Sequence, residues 1–173
     1  MAKRFLIVAG TVAALCISAG SAHAQGSITP FAGAVFGGDV PSSRATYGVS
    51  LVGNSGPLGA EFEFGYTPTL FDSEVGSANL TTLMGNILVG LPLGVFHPYG
   101  SAGLGLMRQR TTANPVTLLN DITDNDFGYS VGGGAWTMLS PNVGIRGDVR
   151  FFQVRKTGGF NFGRAYGGLL LAF

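Results

Sequence analysis

Residues 143–154 read Val-Gly-Ile-Arg-Gly-Asp-Val-Arg-Phe-Phe-Gln-Val, and apolar and charged side chains alternate along most of this stretch. One side carries Val143, Ile145, Val149 and Phe151, and the other carries Arg146, Asp148 and Arg150. Successive side chains of a β-strand point to opposite faces, so the stretch predicts a strand with one apolar and one charged face. Residues 58–67 repeat the pattern, with Glu61 and Glu63 on one face and aromatic side chains on the other.

The composition indicates which of these faces meets water. Hydrophobic residues make up 46% of the chain and charged residues only 11%, whereas a soluble domain carries about 25% charged residues. After residue 24 no apolar run approaches the roughly 20 residues of a transmembrane helix. A transmembrane β-barrel resolves this, because strands of about 9–11 residues cross the bilayer with every second side chain facing lipid. The charged faces are then expected to point into the lumen.

The rest of the chain predicts an all-β fold, an eight-stranded antiparallel up-and-down transmembrane barrel. The strands are expected at residues 28–37, 45–53, 58–67, 80–91, 96–108, 126–136, 143–154 and 163–173. Tight turns rich in Gly, Pro, Asn and Ser are expected at 54–57, 92–94 and 140–142. Longer, more polar connections are expected at 38–44, 68–79, 109–125 and 155–162. Alternation of short and long connections is typical of barrels with periplasmic turns on one rim and extracellular loops on the other.

The inward charges form a candidate functional cluster. It comprises Glu61, Glu63, Arg146, Asp148, Arg150 and Arg164. The third and seventh of eight strands lie opposite one another, so long side chains can bridge the lumen. The cluster has two interpretations, an ion-selective constriction or a satisfied polar core. The second is favoured, because an eight-stranded barrel is just wide enough for side chains to fill and unpaired buried charges are costly.

The N-terminal residues 1–24 have the pattern of a cleaved secretory signal. Lys3 and Arg4 precede an apolar run at 5–17, and Ala22-His23-Ala24 provides a small-residue cleavage site. The run is too short for a membrane anchor, and Cys16 lacks the small preceding residue of a lipoprotein signal. We therefore expect a mature barrel domain at residues 25–173, which contains no cysteine and hence no disulfide.

The last strand presents Leu169, Leu171 and the terminal Phe173 on one face. A soluble domain rarely ends on so apolar a segment, whereas a membrane strand uses an apolar lipid face and a boundary aromatic. The ending resembles the C-terminal assembly signal of bacterial outer-membrane barrels, which would here comprise Tyr166, Gly168, Leu171 and Phe173.

Three segments carry a resemblance to a known family. Residues 96–105 (FHPYGSAGLG), 127–135 (FGYSVGGGA) and 143–152 (VGIRGDVRFF) are similar to the small outer-membrane β-barrel domain family of the OmpA and OmpX type. The resemblance implies location in the outer membrane, contact with its lipid and lipopolysaccharide, and insertion by the outer-membrane assembly machinery. The chain ends without the peptidoglycan-binding domain of the OmpA pattern, so no cell-wall tether is expected in this polypeptide.

No catalytic, cofactor or metal residues are expected. His97 is the single histidine after residue 24 and lacks a neighbouring serine in a lipid-hydrolase arrangement. Asp121, Asp124 and Asp126 have partly suitable spacing for calcium but lack the glycine and glutamate of an EF-hand loop. Removing Lys3 and Arg4 from the ten basic residues leaves eight against nine acidic ones, so no basic surface favours nucleic acid.

Two function classes follow from these patterns. The favoured one is a structural or surface-interaction barrel that acts through its extracellular loops, and the alternative is a small-solute channel. Barrel size favours the first, because open pores belong to barrels of about 16–18 strands. A soluble periplasmic lipocalin-like barrel is a third alternative, which the inward charges disfavour.

Overall fold

The computed structural model describes residues 25–173 apart from 41, 74–75, 92, 114–121 and 156–158. The predicted signal peptide, residues 1–24, lies outside this range. Eight strands make up the fold: β1 (Gln25–Phe36), β2 (Arg44–Ser55), β3 (Leu58–Ser73), β4 (Gly76–Gly90), β5 (Phe96–Ala113), β6 (Ile122–Met138), β7 (Val143–Arg155) and β8 (Asn161–Ala172). Within the described residues there is no helix long and apolar enough to cross a membrane.

The strands form a closed antiparallel barrel, as predicted. Each strand pairs with the next along the chain, and β1 pairs with β8. Closure gives every strand two hydrogen-bonded neighbours, so no edge is left open. We call the rim that carries the β2–β3, β4–β5 and β6–β7 connections the turn rim, and the opposite rim the loop rim.

Burial alternates along the strands in the predicted sense. In β7 exposure changes at nearly every residue, with Arg146 and Arg150 buried and Val149 and Phe151 exposed. The apolar side chains therefore form most of the outer surface of the barrel, and the charged side chains of Arg146 and Arg150 lie inside it. Phe173, which directly follows β8, is 77% exposed and belongs to this outer surface.

Tight turns close the turn rim. Gly56 has a φ of 61° in the two-residue connection between β2 and β3, and Gly94 has a φ of 68° between β4 and β5. Both angles lie in the left-handed region, where a residue with a Cβ is disfavoured.

The sequence predicts a long connection at residues 68–79, and this prediction is wrong for most of that range. β3 continues to Ser73 and β4 begins at Gly76, so only residues 74–75 separate the two strands. The pairing register shifts between Thr67 and Phe71, which places Pro68 in an irregular stretch where its missing N–H is tolerated. The connection predicted at 109–125 also shrinks, to residues 114–121. In both places we infer that the strands extend above the bilayer, where an apolar face is no longer required and the pattern that marks a membrane strand disappears.

The interior is stratified along the barrel axis. Toward the loop rim lies a buried apolar cluster of Val35, Val40, Leu70, Leu80, Met84, Met107, Phe152, Val154 and Phe162. Toward the turn rim lies a smaller cluster of Val52, Leu88 and Tyr99, against which Trp136 packs. The buried charged side chains occupy the level between these two clusters.

Candidate functional site

The structure brings together the six charged residues singled out from the sequence. We call Glu61, Glu63, Arg146, Asp148, Arg150 and Arg164 the ion-pair belt, and none of them is more than 4% exposed. Three are basic and three acidic, so the belt is neutral as a whole. The two glutamates lie on β3, opposite the β7 residues in the closed order of strands.

Arg150 is the centre of the belt. Its Nη2 lies 2.6 Å from Oε2 of Glu61, and its Nη1 lies 3.2 Å from Oε2 of Glu63. Its Nε and Nη2 also donate to the two carboxylate oxygens of Asp148, each at 2.8 Å. One guanidinium therefore joins three carboxylates and spans the lumen from β7 to β3.

Arg146 connects the belt to the turn-rim cluster. Its Nη2 lies 3.0 Å from Oε1 of Glu61 and 3.2 Å from Oδ2 of Asp148. Its Nη1 donates to Oγ of Ser50 at 3.1 Å, and its Nε donates to the hydroxyl of Tyr99 at 2.6 Å. The Tyr99 hydroxyl in turn donates to Asp148. All three nitrogens of the Arg146 guanidinium thus have partners.

Arg164 connects the belt to the apolar cluster at the loop rim. Its Nη2 pairs with Oε1 of Glu63, and its Nη1 donates to Oγ1 of Thr82 at 3.3 Å. The guanidinium lies over the ring of Phe152, with its Cζ 4.5 Å from the ring centroid. Such cation–π contacts suit a charge held away from water.

Glycines make room for the large belt side chains. Gly132 pairs in register with Arg150, and a Cβ there would clash with the backbone oxygen of Val149 and lie 2.8 Å from Arg150 Cγ. A Cβ on Gly65 would lie 2.5 Å from Arg164 Nη1. A side chain at Gly132 would therefore displace the β7 backbone together with Arg150, and one at Gly65 would displace Arg164. Some of the glycines thus have a packing role.

Sequence reasoning did not assign several belt partners. Tyr99 and Ser50 contact Arg146, Thr82 contacts Arg164, and Asn86 donates to Oε2 of Glu61 at 3.3 Å. The alternation of inward and outward side chains along each strand contained a signal for them, because all four are buried polar residues within strands. Their partners depend on the pairing of distant strands, which the sequence does not display.

The residues of the proposed C-terminal signal divide between the two faces of β8. Tyr166 is buried, where its hydroxyl donates to Oε2 of Glu63 at 3.3 Å and its ring stacks on Phe31 with centroids 4.0 Å apart. Phe173 exchanges two backbone hydrogen bonds with Gly26, so the last residue extends the β1–β8 seam. Tyr166 therefore packs the interior, whatever its part in assembly. The assembly role of Tyr166, Gly168, Leu171 and Phe173 stays a prediction.

The remaining candidates lie apart from the belt. The imidazole of His97 stacks on Trp136, with centroids 3.8 Å apart and an interplanar angle of 4°. The side chains of Asp121 and Asp124, considered as calcium ligands, lie outside the described residues. In the part of the chain that the structure describes, no group of three His, Cys, Asp or Glu side chains is arranged to hold a metal ion.

A family model described as the outer membrane protein β-barrel domain matches residues 10–169. The chain belongs to this family. Membership confirms the resemblance seen in the sequence, the eight-stranded fold class and the location in the bacterial outer membrane. No curated protein matches the chain significantly.

Solved structures of this outer-membrane class share the fold. Neisserial surface protein A is 15% identical, with a TM-score of 0.71, and the match covers 86% of this chain and 97% of that one. OprG from Pseudomonas aeruginosa is 12% identical, with a TM-score of 0.63 and coverage of 87% and 96%. Ail, the attachment invasion locus protein of Yersinia pestis, is 14% identical, with a TM-score of 0.60 and coverage of 87% and 99%. At these identities the similarity concerns the fold alone.

Proposed function

We propose that this outer-membrane barrel has a structural or surface-interaction role and that its lumen is not a standing pore. The observation that carries the proposal is the Arg150 guanidinium, which is 0% exposed and joins Asp148 on its own strand to Glu61 and Glu63 across the barrel. A solute channel would need this level of the lumen to be open. The small-solute channel is therefore the less supported alternative.

The energetics of opening support the same proposal. Moving Arg150 aside would separate it from three carboxylates, and removing a partner from a buried pair costs about 3–5 kcal/mol. The apolar cluster at the loop rim would also have to part, exposing large side chains such as Phe152 and Phe162, which are both at most 2% exposed. Two barriers in series thus favour a filled interior.

We expect purified protein in planar lipid bilayers to show no steady single-channel conductance. The belt and the apolar cluster fill successive levels of the lumen, so ions have no continuous aqueous path. The measurement is current against voltage, with an established porin as the positive control. A steady conductance whose ion selectivity changes in Glu63→Ala, at unchanged stability, would replace this proposal with the channel function.

The loop-rim end of the outer wall offers a place for contact with lipopolysaccharide. Arg108 and Arg155 are exposed on β5 and β7, on either side of β6. Between them lies Phe127, which is 50% exposed and pairs in register with Arg155. The exposed Tyr47 and Tyr66, also paired in register, are typical of the aromatic girdle at a membrane boundary. We propose that the two arginines bind lipopolysaccharide phosphates, because guanidinium groups bind phosphate oxygens strongly.

Added lipopolysaccharide is expected to raise the thermal unfolding midpoint of the wild-type barrel more than that of the Arg108→Gln/Arg155→Gln variant. The variant lacks both cations but keeps the apolar outer wall. Heat-modifiable migration on gels gives the midpoint, with and without lipopolysaccharide. Tyr129→Phe, an uncharged change on the same part of the wall, is the control and should respond as the wild type does. An equal gain with dephosphorylated lipopolysaccharide would contradict the phosphate contact.

We also propose that the protein is not an enzyme. After residue 24 the only histidine is His97, whose ring stacks on Trp136 and whose Nδ1 has no hydrogen-bond partner among the described residues. Catalysis of acyl or peptide transfer needs a base within hydrogen-bond reach of a nucleophile. The signal peptide at 1–24, insertion by the outer-membrane assembly machinery and surface interaction through the extracellular loops complete the proposal.

A further inference from the structure

A cavity of 290 Å³ lies inside the barrel at the turn rim, and all eight strands contribute to its lining. Residues around it include Val52, Leu88, His97, Tyr99, Trp136 and Arg146. We call it the turn-rim cavity. Because every strand contributes, the cavity lies on the barrel axis, and the ion-pair belt closes it on the side away from the rim. In the orientation expected for outer-membrane barrels, its mouth faces the periplasm.

We propose that the turn-rim cavity binds a neutral, ring-sized organic molecule that carries a hydroxyl or similar hydrogen-bonding group. The size supports a small ligand, since 290 Å³ lies at the lower limit of ligand pockets, which begin near 300 Å³. The walls are mainly apolar or aromatic and include Val52, Leu88 and Trp136. A ring of the occupant would bury apolar surface against them.

The charged groups beside the cavity are already paired, which disfavours an ionic occupant. Arg146 is the charged residue of the lining, and its guanidinium is already bonded to Glu61, Asp148, Ser50 and Tyr99. The belt behind it contains as many carboxylates as guanidinium groups. Every guanidinium and carboxylate of the belt already has an ion-pair partner. An ion of either sign would therefore lose hydration on entry without meeting a free counter-charge. A neutral occupant avoids that cost.

The polar part of the lining supports one hydrogen bond to the occupant. Ser27, Asn54 and His97 bring polar side chains to the cavity. The Nδ1 atom of His97 is buried and has no hydrogen-bond partner among the described residues. Rotation of the imidazole by 180° about the Cβ–Cγ bond keeps the ring in its plane and so preserves the stack on Trp136. The same rotation moves Nδ1 to the opposite edge of the ring, so Nδ1 can face either side. A hydroxyl group can donate or accept, so it suits either tautomer of the imidazole.

The experiment uses the single tryptophan of the chain, Trp136, which lines the cavity. Mature protein in lipid nanodiscs is titrated with cyclohexanol, cyclohexanecarboxylate and cyclohexylamine, which share one ring and differ in charge. We expect a saturable change in Trp136 emission with cyclohexanol and none with the two ions. The same response to all three, or no saturable response to cyclohexanol, would overturn the proposal.

Matched variants separate binding in the cavity from partition into lipid. Val52→Phe fills the cavity from inside and is expected to abolish the response, whereas Val89→Phe adds the same ring to a side chain that is 55% exposed on the outer wall and should leave it intact. Ser27→Phe provides a second filling variant if Val52→Phe does not fold, as judged by heat-modifiable migration. His97→Phe keeps a flat ring beside Trp136 and is expected to weaken cyclohexanol binding about 2- to 12-fold, the worth of one net hydrogen bond. A wild-type response in both filling variants would place the binding elsewhere.

Discussion

Arg150→Ala is expected to lower the free energy of unfolding by about 3–5 kcal/mol, because it leaves buried carboxylates without their cation. Arg150 is fully buried and is bonded to Glu61, Glu63 and Asp148. With it removed, three carboxylates would share the two remaining arginines of the belt. Urea unfolding of the refolded barrel in phospholipid vesicles, followed through Trp136 emission, measures the change.

Arg155→Ala is the matched control, since Arg155 lies on the same strand but is exposed. Exposed charges contribute about 0–1 kcal/mol, so this variant should unfold close to the wild type. A second check uses Glu63 and Arg164, which pair directly. The Glu63→Ala/Arg164→Ala double variant should be less destabilised than the sum of its single variants. Equal stability of Arg150→Ala and Arg155→Ala would show that the belt does not hold the barrel together.

Val149→Arg is expected to destabilise the barrel by about 2–4 kcal/mol, because it places a cation on the lipid face near the middle of the membrane. Val149 is 44% exposed on the outer wall, directly next to the buried Arg150 in sequence. The two positions differ by one residue and therefore point to opposite sides of the sheet. An arginine is thus native at 150 and costly at 149.

Ile145→Arg serves as the control on the same strand and the same face. Ile145 is 49% exposed and lies four residues closer to the turn rim, which is about 13 Å along a strand. The cost of a lipid-facing arginine falls to about 0–1 kcal/mol near the membrane boundary. Unfolding in vesicles of matched lipid measures both variants. If Val149→Arg is no less stable than Ile145→Arg, the outer wall at Val149 does not face the bilayer core.

The sequence predicts the strands well where the membrane constrains both faces. The start of β3 at Leu58, of β5 at Phe96 and of β7 at Val143 agrees with the structure. At these turn-rim ends, Gly and Pro turns directly adjoin lipid-facing strands, so both the turn and the alternation mark the boundary. At the loop rim the sequence pattern does not predict the extension of β3 to Ser73. We infer that this part of the strand rises above the bilayer, where no lipid face requires apolar residues.

The candidate site was likewise predictable only in part: the sequence indicated the inward direction of its charged side chains but not their pairings. Strand parity was enough to place Glu61, Glu63, Arg146 and Arg150 on the inner faces of their strands, where the structure has them buried. Parity did not give the pairings, in which Arg150 contacts both glutamates while Arg146 contacts Glu61. Nor did it show that Tyr99 and Tyr166 bond to belt carboxylates.

By itself the sequence determined an all-β membrane barrel, its eight strands and the inward direction of its charges, because these follow from a period of two residues and from the cost of a charge in lipid. Only the tertiary structure decided which charges meet, how the glycines admit the arginines and where the turn-rim cavity lies. Those features depend on the stagger of the strands around the closed barrel, which sets the heights of residues on opposite walls. Arg150 and Glu61 are 89 residues apart in the chain and in direct contact across the lumen, so no local pattern contains their pairing.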